Sequence, residues 1–403
     1  MISNYKAVIV GGGASGLMCA VDLLRCQNHL QGKDLLIIEK NDRVGKKLIS
    51  TGNGQGNLCN ANFSLDFYHG NDAFIREFFD GVKDFSIQEY LAQIGIPLTE
   101  GKDGKQYPIS KQASAVLDIL RAFLSSKGCN IVTGETVKAI KKSQQDFNVI
   151  TDKNSYNAKN VVLAVGGKAG KQFGTDGTSY SLAQGFGHKT TELYPSLVQL
   201  KTDLSLIRGL KGLKETAKVI ALDGEKQLAS ATGDLLFTEY GISGNAVFQV
   251  SGYLTCAKSP KVIIEFLPEY TYNQVVEMLT QRQELNFLQR EEILVGIINK
   301  RIGQAVLKSA KDTSINMIAK ALKNFSLNVT GNLGFNYAQV TKGGIDTRNV
   351  NALTMESKLQ KGLYLTGEML DVDGDCGGYN LTFAFLSGIV CAKNIKSQLS
   401  QEN

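Results

Sequence analysis

Gly11, Gly13 and Gly16 are spaced G-x-G-x-x-G, with Ala14 and Ser15 inside the pattern. Glycines so placed let a backbone approach a pyrophosphate closely, and a helix starting there turns its free N–H groups toward the phosphate charge. Taken alone the pattern is weak, but its surroundings are those the chemistry requires. Residues 6–10 are an apolar, β-rich run; Leu17, Ala20, Val21 and Leu24 then recur at helical spacing; residues 34–38 form a second apolar run that ends at Glu39. That is a strand–helix–strand unit with an acidic residue roughly 20 positions beyond the loop. Glu39 can accept hydrogen bonds from ribose hydroxyls and would repel a 2′-phosphate. The loop is therefore expected to take FAD or NAD in preference to NADP.

The rest of the chain favours FAD. Residues 160–167 read as a strand ending in Ala164, Gly166 and Gly167, and residues 362–368 as another ending in Gly367 and Glu368. Gly377, Gly378, Tyr379, Asn380 and Leu381 then open the last helix. A second helix N-terminus suits the polar edge of a flavin, where reduction places negative charge. A plain NAD domain has no need of it. Cys59 and Cys376 near these segments are conceivable as a redox pair, against the alternative of small filler. Tyr379, Tyr240 and Asp371 are polar groups that could face a substrate, and none is assigned as acid or base.

These residues need a framework. Length predicts two or three domains, and the 43% hydrophobic and 20% charged content is that of an ordinary globular protein. The fold class expected is α/β: a discontinuous Rossmann-type FAD-binding domain over 1–194 and 336–403, interrupted by a β-barrel-like insertion (195–268) and a helical insertion (269–335). Two short amphipathic helices are expected over 72–95. A longer helix should follow residue 110, with Val116, Ile119, Leu120, Phe123 and Leu124 on one face and Ser110 as its N-cap. Strands are expected at 130–133, 137–142, 147–150 and 161–165, then short ones at 197–200, 218–222 and 235–238.

No apolar run is long enough for a membrane span and no signal peptide is visible, so a cytoplasmic location is expected. Seven scattered cysteines (Cys19, Cys26, Cys59, Cys129, Cys256, Cys376 and Cys391) read as reduced thiols. His29, His69 and His188 are isolated, so no metal site is expected. The net charge of +6 is spread out, and basic clusters interleaved with stacking aromatics are missing, so nucleic-acid binding is not indicated.

Several ordered blocks carry a resemblance. They are residues 45–54 (GKKLISTGNG), 107–114 (YPISKQAS), 164–167 (AVGG), 236–244 (LFTEYGISG), 340–344 (VTKGG), 354–358 (TMESK) and 367–380 (GEMLDVDGDCGGYN). The chain resembles, over nearly its whole length, the bacterial flavoproteins labelled aminoacetone oxidases or BaiN-like FAD-dependent oxidoreductases. The resemblance implies that Thr51, Gly52, Asn53, Gly54 and Asn57 line the flavin or its pyrophosphate. It also implies that Lys40 and Lys46 flank the adenosine half and that Val137 meets adenine through its backbone. Gly54-Gln-Gly-Asn57 lacks an arginine and a cysteine common in such proteins. Cys376 stands where Thr is common, and Glu239 where His is.

Hydride transfer belongs to the flavin; the protein supplies position and electrostatics. No Cys-x4-Cys follows the second strand, which excludes a disulfide-reductase dithiol, and no second dinucleotide loop stands in a strand–helix context. The leading expectation is oxidation of a small amine (aminoacetone-like) or alcohol, with O2 as acceptor and hydrogen peroxide released. Two alternatives stand beside it: an NAD(P)H-dependent reductase of an unsaturated small molecule, with nicotinamide visiting transiently, and an RNA-associated flavoprotein.

Overall fold

The computed structural model describes residues 3–25, 30–143, 146–285, 287–310, 312 and 314–401; Cys26 and His29 lie outside these. The chain forms two compact units, Met1–Leu193 with Val340–Asn403, and Tyr194–Gln339.

The first unit is built on a seven-stranded sheet. Its parallel part runs Asn130–Thr133, Leu35–Glu39, Ser3–Val10, Ser155–Leu163 and Leu363–Leu365. Every residue of Leu35–Glu39 is buried, as expected of a parallel strand covered on both faces. The strand Ser155–Leu163 begins well before the apolar run that announces it. Its first half is polar and pairs antiparallel with Phe147–Thr151, which in turn pairs with Val137–Lys142.

The two ends of the chain meet in this unit. Helix Ala14–Arg25 lies against the closing helix Tyr379–Gln401, and a Cβ at Gly388 would sit 2.4 Å from the Ser15 carbonyl oxygen. Only glycine allows that approach. Lys396 Nζ reaches Asp22 Oδ2 at 2.7 Å across the same contact. The helix expected to be capped by Ser110 instead spans Ala113–Ser126, with Gln112 at its N-cap and no side-chain cap bond. A turn intervenes, in which Lys111 adopts φ 50° and donates its N–H to the Pro108 carbonyl.

The second unit contains a closed six-stranded barrel. Around it run Leu200–Thr202, Gly241–Ser243, Lys226–Phe237, Lys214–Asp223, Pro260–Phe266 and Phe325–Asn332. The runs expected at 218–222 and 235–238 are the middle and end of one long hairpin. Helices Tyr272–Gln283, Lys300–Ser309 and Ile315–Lys323 lead into Phe325–Asn332, which pairs with strands on both sides and closes the barrel. Val275, Leu279, Ile302, Ile318 and Leu322 share one core with the barrel residues Val219, Ile264 and Leu327. Among the described residues no helix is long and apolar enough to cross a membrane.

Candidate functional site

The glycine loop has two kinds of glycine. Gly11 has φ 109° and a Cβ there would lie 2.3 Å from the Ala164 carbonyl oxygen; a Cβ on Gly16 would lie 2.1 Å from the Gly11 carbonyl. These two are forced by close packing. Gly13 differs, since nothing lies within 4 Å of its virtual Cβ. The absent side chain leaves open space at the start of a helix whose first bond is Leu17 N–H to the Gly13 carbonyl, 2.9 Å. Open space beside the free N–H groups of a helix start is what a pyrophosphate requires, so the residues present fit a dinucleotide. Ala14 and Ser15 form the first turn of that helix, with Ser15 buried.

Glu39 is buried and its carboxylate holds the loop in shape. Oε2 accepts the Gly12 N–H at 2.9 Å, while Oε1 accepts from Asn41 N at 2.8 Å and Asn41 Nδ2 at 2.7 Å. With two lone pairs on each oxygen, Oε2 retains one acceptor position. Gly12 and Asn41 were not singled out by the sequence, although their contacts set the carboxylate's direction. Lys40 pairs with Asp176 at 3.3 Å and Lys46 with Asp42 at 2.6 Å. Val137 opens its strand at a register irregularity between Val137 and Ala139. Nearby, Glu135 N–H donates to the Glu39 carbonyl at 3.2 Å.

The segment Leu48–Gly54 is irregular. Thr51 is extended, and Gly52, Asn53 and Gly54 follow in left-handed conformations at φ 58°, 55° and 83°. Asn57 Oδ1 is buried and has no hydrogen-bond partner in the structure. A buried acceptor left open in this way is what a ligand donor would complete.

At the other end of the unit, Ala164, Gly166 and Gly167 lead from the central strand, with Gly166 at φ 73°. Glu368 is engaged by the protein itself: Oε1 accepts the Thr341 N–H at 3.0 Å, and Oε2 meets Lys47 Nζ at 2.5 Å. Thr341 Oγ1 in turn accepts the N–H groups of Lys168 and Ala169 at 2.8 and 2.9 Å. Glu368 thus clamps three segments together. Of the adjacent lysines, Lys47 reaches inward to it, whereas Lys46 salt-bridges Asp42. Gly367, at φ 72°, packs where a Cβ would lie 2.5 Å from Ser15 Oγ.

The glycines before the last helix are also filled by protein. Gly377 and Gly378 have φ 155° and 103°, and a Cβ on Gly378 would lie 2.5 Å from the Cys59 carbonyl oxygen. Asn380 accepts the Gly374 N–H at 2.8 Å and donates to the Gly374 carbonyl at 2.6 Å, closing the turn. Tyr379 is buried, stacked on Phe67 at 4.6 Å between ring centroids, with its hydroxyl donating to the Asn62 carbonyl. Both its ring and its hydroxyl are thus engaged by the protein itself. Leu381 rests against the core, and Tyr240 belongs to the second unit. Burial pushes the Cys59 thiol up to about 12 and raises Cys376 as well, the opposite of what a reactive thiolate needs. Burial also raises the Asp371 carboxyl, against the opposing hydrogen bond of Thr191.

The model of the family described as "HI0933-like protein Rossmann domain" matches residues 5–394. A relative from Clostridium scindens, described as a 3-dehydro-bile acid delta(4,6)-reductase, is 36% identical over 402 residues, covering 96% of this chain and 97% of the relative. A Haemophilus influenzae protein described as a ribosomal RNA dihydrouridine synthase is 28% identical over 416 residues, covering 98% of this chain and all of the relative. Among solved structures, a 3-ketosteroid-delta4-(5alpha)-dehydrogenase from Rhodococcus jostii shares the fold with a TM-score of 0.52 at 13% identity, over 98% of this chain and 97% of that one. The chain belongs to the HI0933-like Rossmann family and is an FAD-dependent oxidoreductase.

Proposed function

We propose that the protein saturates a carbon–carbon double bond conjugated to a carbonyl in a small apolar molecule, drawing electrons from NAD(P)H by way of FAD. The observation that carries this reading is the 36% identity, over nearly both full lengths, to a relative described as a delta(4,6)-reductase. The second curated relative supports it from another direction, because forming dihydrouridine also saturates a double bond beside a carbonyl. Oxidation of an aminoacetone-like amine by O2 has no such support among the named relatives and stands second.

FAD when bound supplies hydride chemistry. In this reading Gly11, Gly13, Ala14, Ser15 and Gly16 hold its pyrophosphate. Glu39 takes a ribose hydroxyl on its remaining lone pair, and Lys40, Lys46 and Val137 border the adenosine. Thr51, Gly52, Asn53, Gly54 and Asn57 border the pyrophosphate and flavin, with Asn57 Oδ1 accepting a hydrogen bond. Ala164, Gly166, Gly167, Gly377, Gly378, Asn380 and Leu381 bring backbone to the ring, while Gly367, Glu368, Asp371 and Tyr379 brace that wall. The described cysteines are in no disulfide, which fits the reducing, cytoplasmic setting of this reading.

The test is anaerobic. The yellow protein is reduced with NADH or NADPH, then mixed separately with a steroid dienone, an aliphatic amine and ribosomal RNA. The expected result is return of the oxidised flavin band with the dienone alone and a product two hydrogens heavier. Bleaching of a separate sample of still-oxidised protein by the amine without NAD(P)H, with peroxide formed on readmitting air, would contradict it. Reoxidation by RNA would give the protein the nucleic-acid substrate named for its second relative.

A further inference from the structure

Glu135 is a buried acid, only 2% exposed, with no part in the glycine loop or the Glu368 clamp. It stands in the short crossover 134–136, between the strands Asn130–Thr133 and Val137–Lys142. Thr133 and Glu39 end neighbouring parallel strands and are paired with each other. The crossover therefore runs just beyond the carboxyl edge of the sheet, where open α/β sheets take their ligands. Gly134, at φ 66°, makes the turn.

Burying a carboxylate is costly unless hydrogen bonds fill its oxygens. For Glu135 they come from three neutral side chains of one hairpin. Thr151 Oγ1 donates to Oε1 at 2.5 Å, the Tyr156 hydroxyl donates to Oε2 at 3.2 Å, and Asn154 Nδ2 lies 3.3 Å from each oxygen. Thr151 Oγ1 also accepts the N–H groups of Lys153 and Asn154 at 3.1 and 2.8 Å, which fixes the hairpin tip. The same hairpin grips the crossover backbone. Thr136 N–H donates to Asp152 Oδ1 at 2.9 Å, Asp152 N–H to the Thr136 carbonyl at 3.0 Å, and Lys153 Nζ to the Gly134 carbonyl at 2.6 Å. A second set of bonds ties the crossover to the end of Leu35–Glu39. Gly134 N–H donates to the Asn41 carbonyl at 2.7 Å, and Glu135 N–H to the Glu39 carbonyl at 3.2 Å. Asn41 is the residue whose N–H and side chain also hold Glu39 Oε1. One short segment thus joins the hairpin to the carboxylate that faces the dinucleotide loop.

We propose that Glu135 is a positioning residue of the adenosine site. Its buried carboxylate anchors the crossover, so that the Glu39 carboxylate and the Val137 backbone keep their spacing when the adenosine enters. This rests on the reading in which Glu39 takes a ribose hydroxyl and Val137 borders the adenosine. The Glu135 oxygens are turned to the hairpin, so its effect passes to the ligand through the bonds from Glu135 to Glu39 and from Gly134 to Asn41. The gain is preorganisation: two ligand-facing groups are fixed before the ligand arrives. A clamp that served the sheet alone would contribute stability and leave nucleotide affinity unchanged. The role also sets where the effect stops. ADP, which carries the adenosine but no flavin, should feel all of it, and FAD no more than ADP.

The probes are ADP and FAD, each titrated into the full-length protein stripped of cofactor, with thermal unfolding of the apoprotein recorded beside them. Glu135→Gln keeps the volume but turns one acceptor oxygen into an amide donor facing the hairpin's own donors. It should weaken ADP and FAD binding by the same factor, about tenfold. Tyr156→Phe removes a single donor and should weaken both by roughly threefold. Wild-type ADP affinity in a folded Glu135→Gln protein overturns the proposal. So does a larger loss for FAD than for ADP, which would mark a general loosening of the unit. If Glu135→Gln does not fold, Tyr156→Phe decides by the same two criteria. Glu39→Ala separates the proposal from the reading beneath it. Loss of ADP binding in Glu39→Ala with wild-type affinity in Glu135→Gln sinks the proposal alone. Wild-type ADP affinity in Glu39→Ala shows that the ribose is held elsewhere, and the placement of the adenosine falls first, with the role of Glu135 after it.

Discussion

The Gly11–Gly16 loop and the Gly377–Asn380 turn are both glycine-rich and both open a helix, yet their glycines are there for different reasons. In the first, Gly13 looks onto open space, and the nearby carboxylate of Glu39 is satisfied by three N–H donors. In the second, the space a Gly378 side chain would occupy is already taken by the Cys59 backbone, and the adjacent carboxyls crowd one another. One loop leaves room beside its helix start, whereas the other is closely backed by its own chain. The same residue type at the same kind of helix start can thus record either ligand contact or packing, and only the neighbouring atoms distinguish them.

This contrast breaks most visibly at Gly378. Alanine there would combine a disfavoured positive φ with a backbone clash, and a loss of about 3–5 kcal/mol of stability is expected in denaturant unfolding. A stable, normally folded Gly378→Ala would show that the turn is not packed as described. Asp373 gives the next largest effect. Its raised pKa means that the folded protein keeps a proton the unfolded chain releases. Stability should therefore fall as pH rises from about 4 to about 7 and then level off. Asp373→Asn should abolish that decline and be more stable than wild type at pH 8 by about 3 kcal/mol. Parallel pH curves for the two proteins would refute the buried-proton assignment. The smallest effect is at the clamp: Lys47→Met leaves Glu368 with Thr341 alone and should cost about 1 kcal/mol, whereas Lys46→Met, which removes only the pair with Asp42, should be nearly silent.

What the sequence disclosed follows the same division. The strand–glycine loop–helix–strand unit that ends at Glu39 was legible because local spacing alone specifies it. The joining of the two chain ends was legible too, since the α/β pattern stops and resumes. The barrel-closing strand Phe325–Asn332 was hidden within a helical stretch, because closure depends on partners far away in sequence. Likewise Ser110 carries the right side chain for a cap, but the Lys111 turn moves the helix start beyond it. Thr341, Lys47 and Gly12 gave no local signal, as each acts through hydrogen bonds to residues far away in sequence.

Gly13 offers the most direct test of the claim that the first loop is shaped by what it binds. Titrating FAD into the stripped Gly13→Ala protein, alongside thermal unfolding of the apoprotein, separates ligand contact from packing. The expected result is FAD affinity weakened at least about tenfold with apoprotein stability within about 0.5 kcal/mol of wild type. Unchanged FAD affinity in a normally stable variant would contradict it.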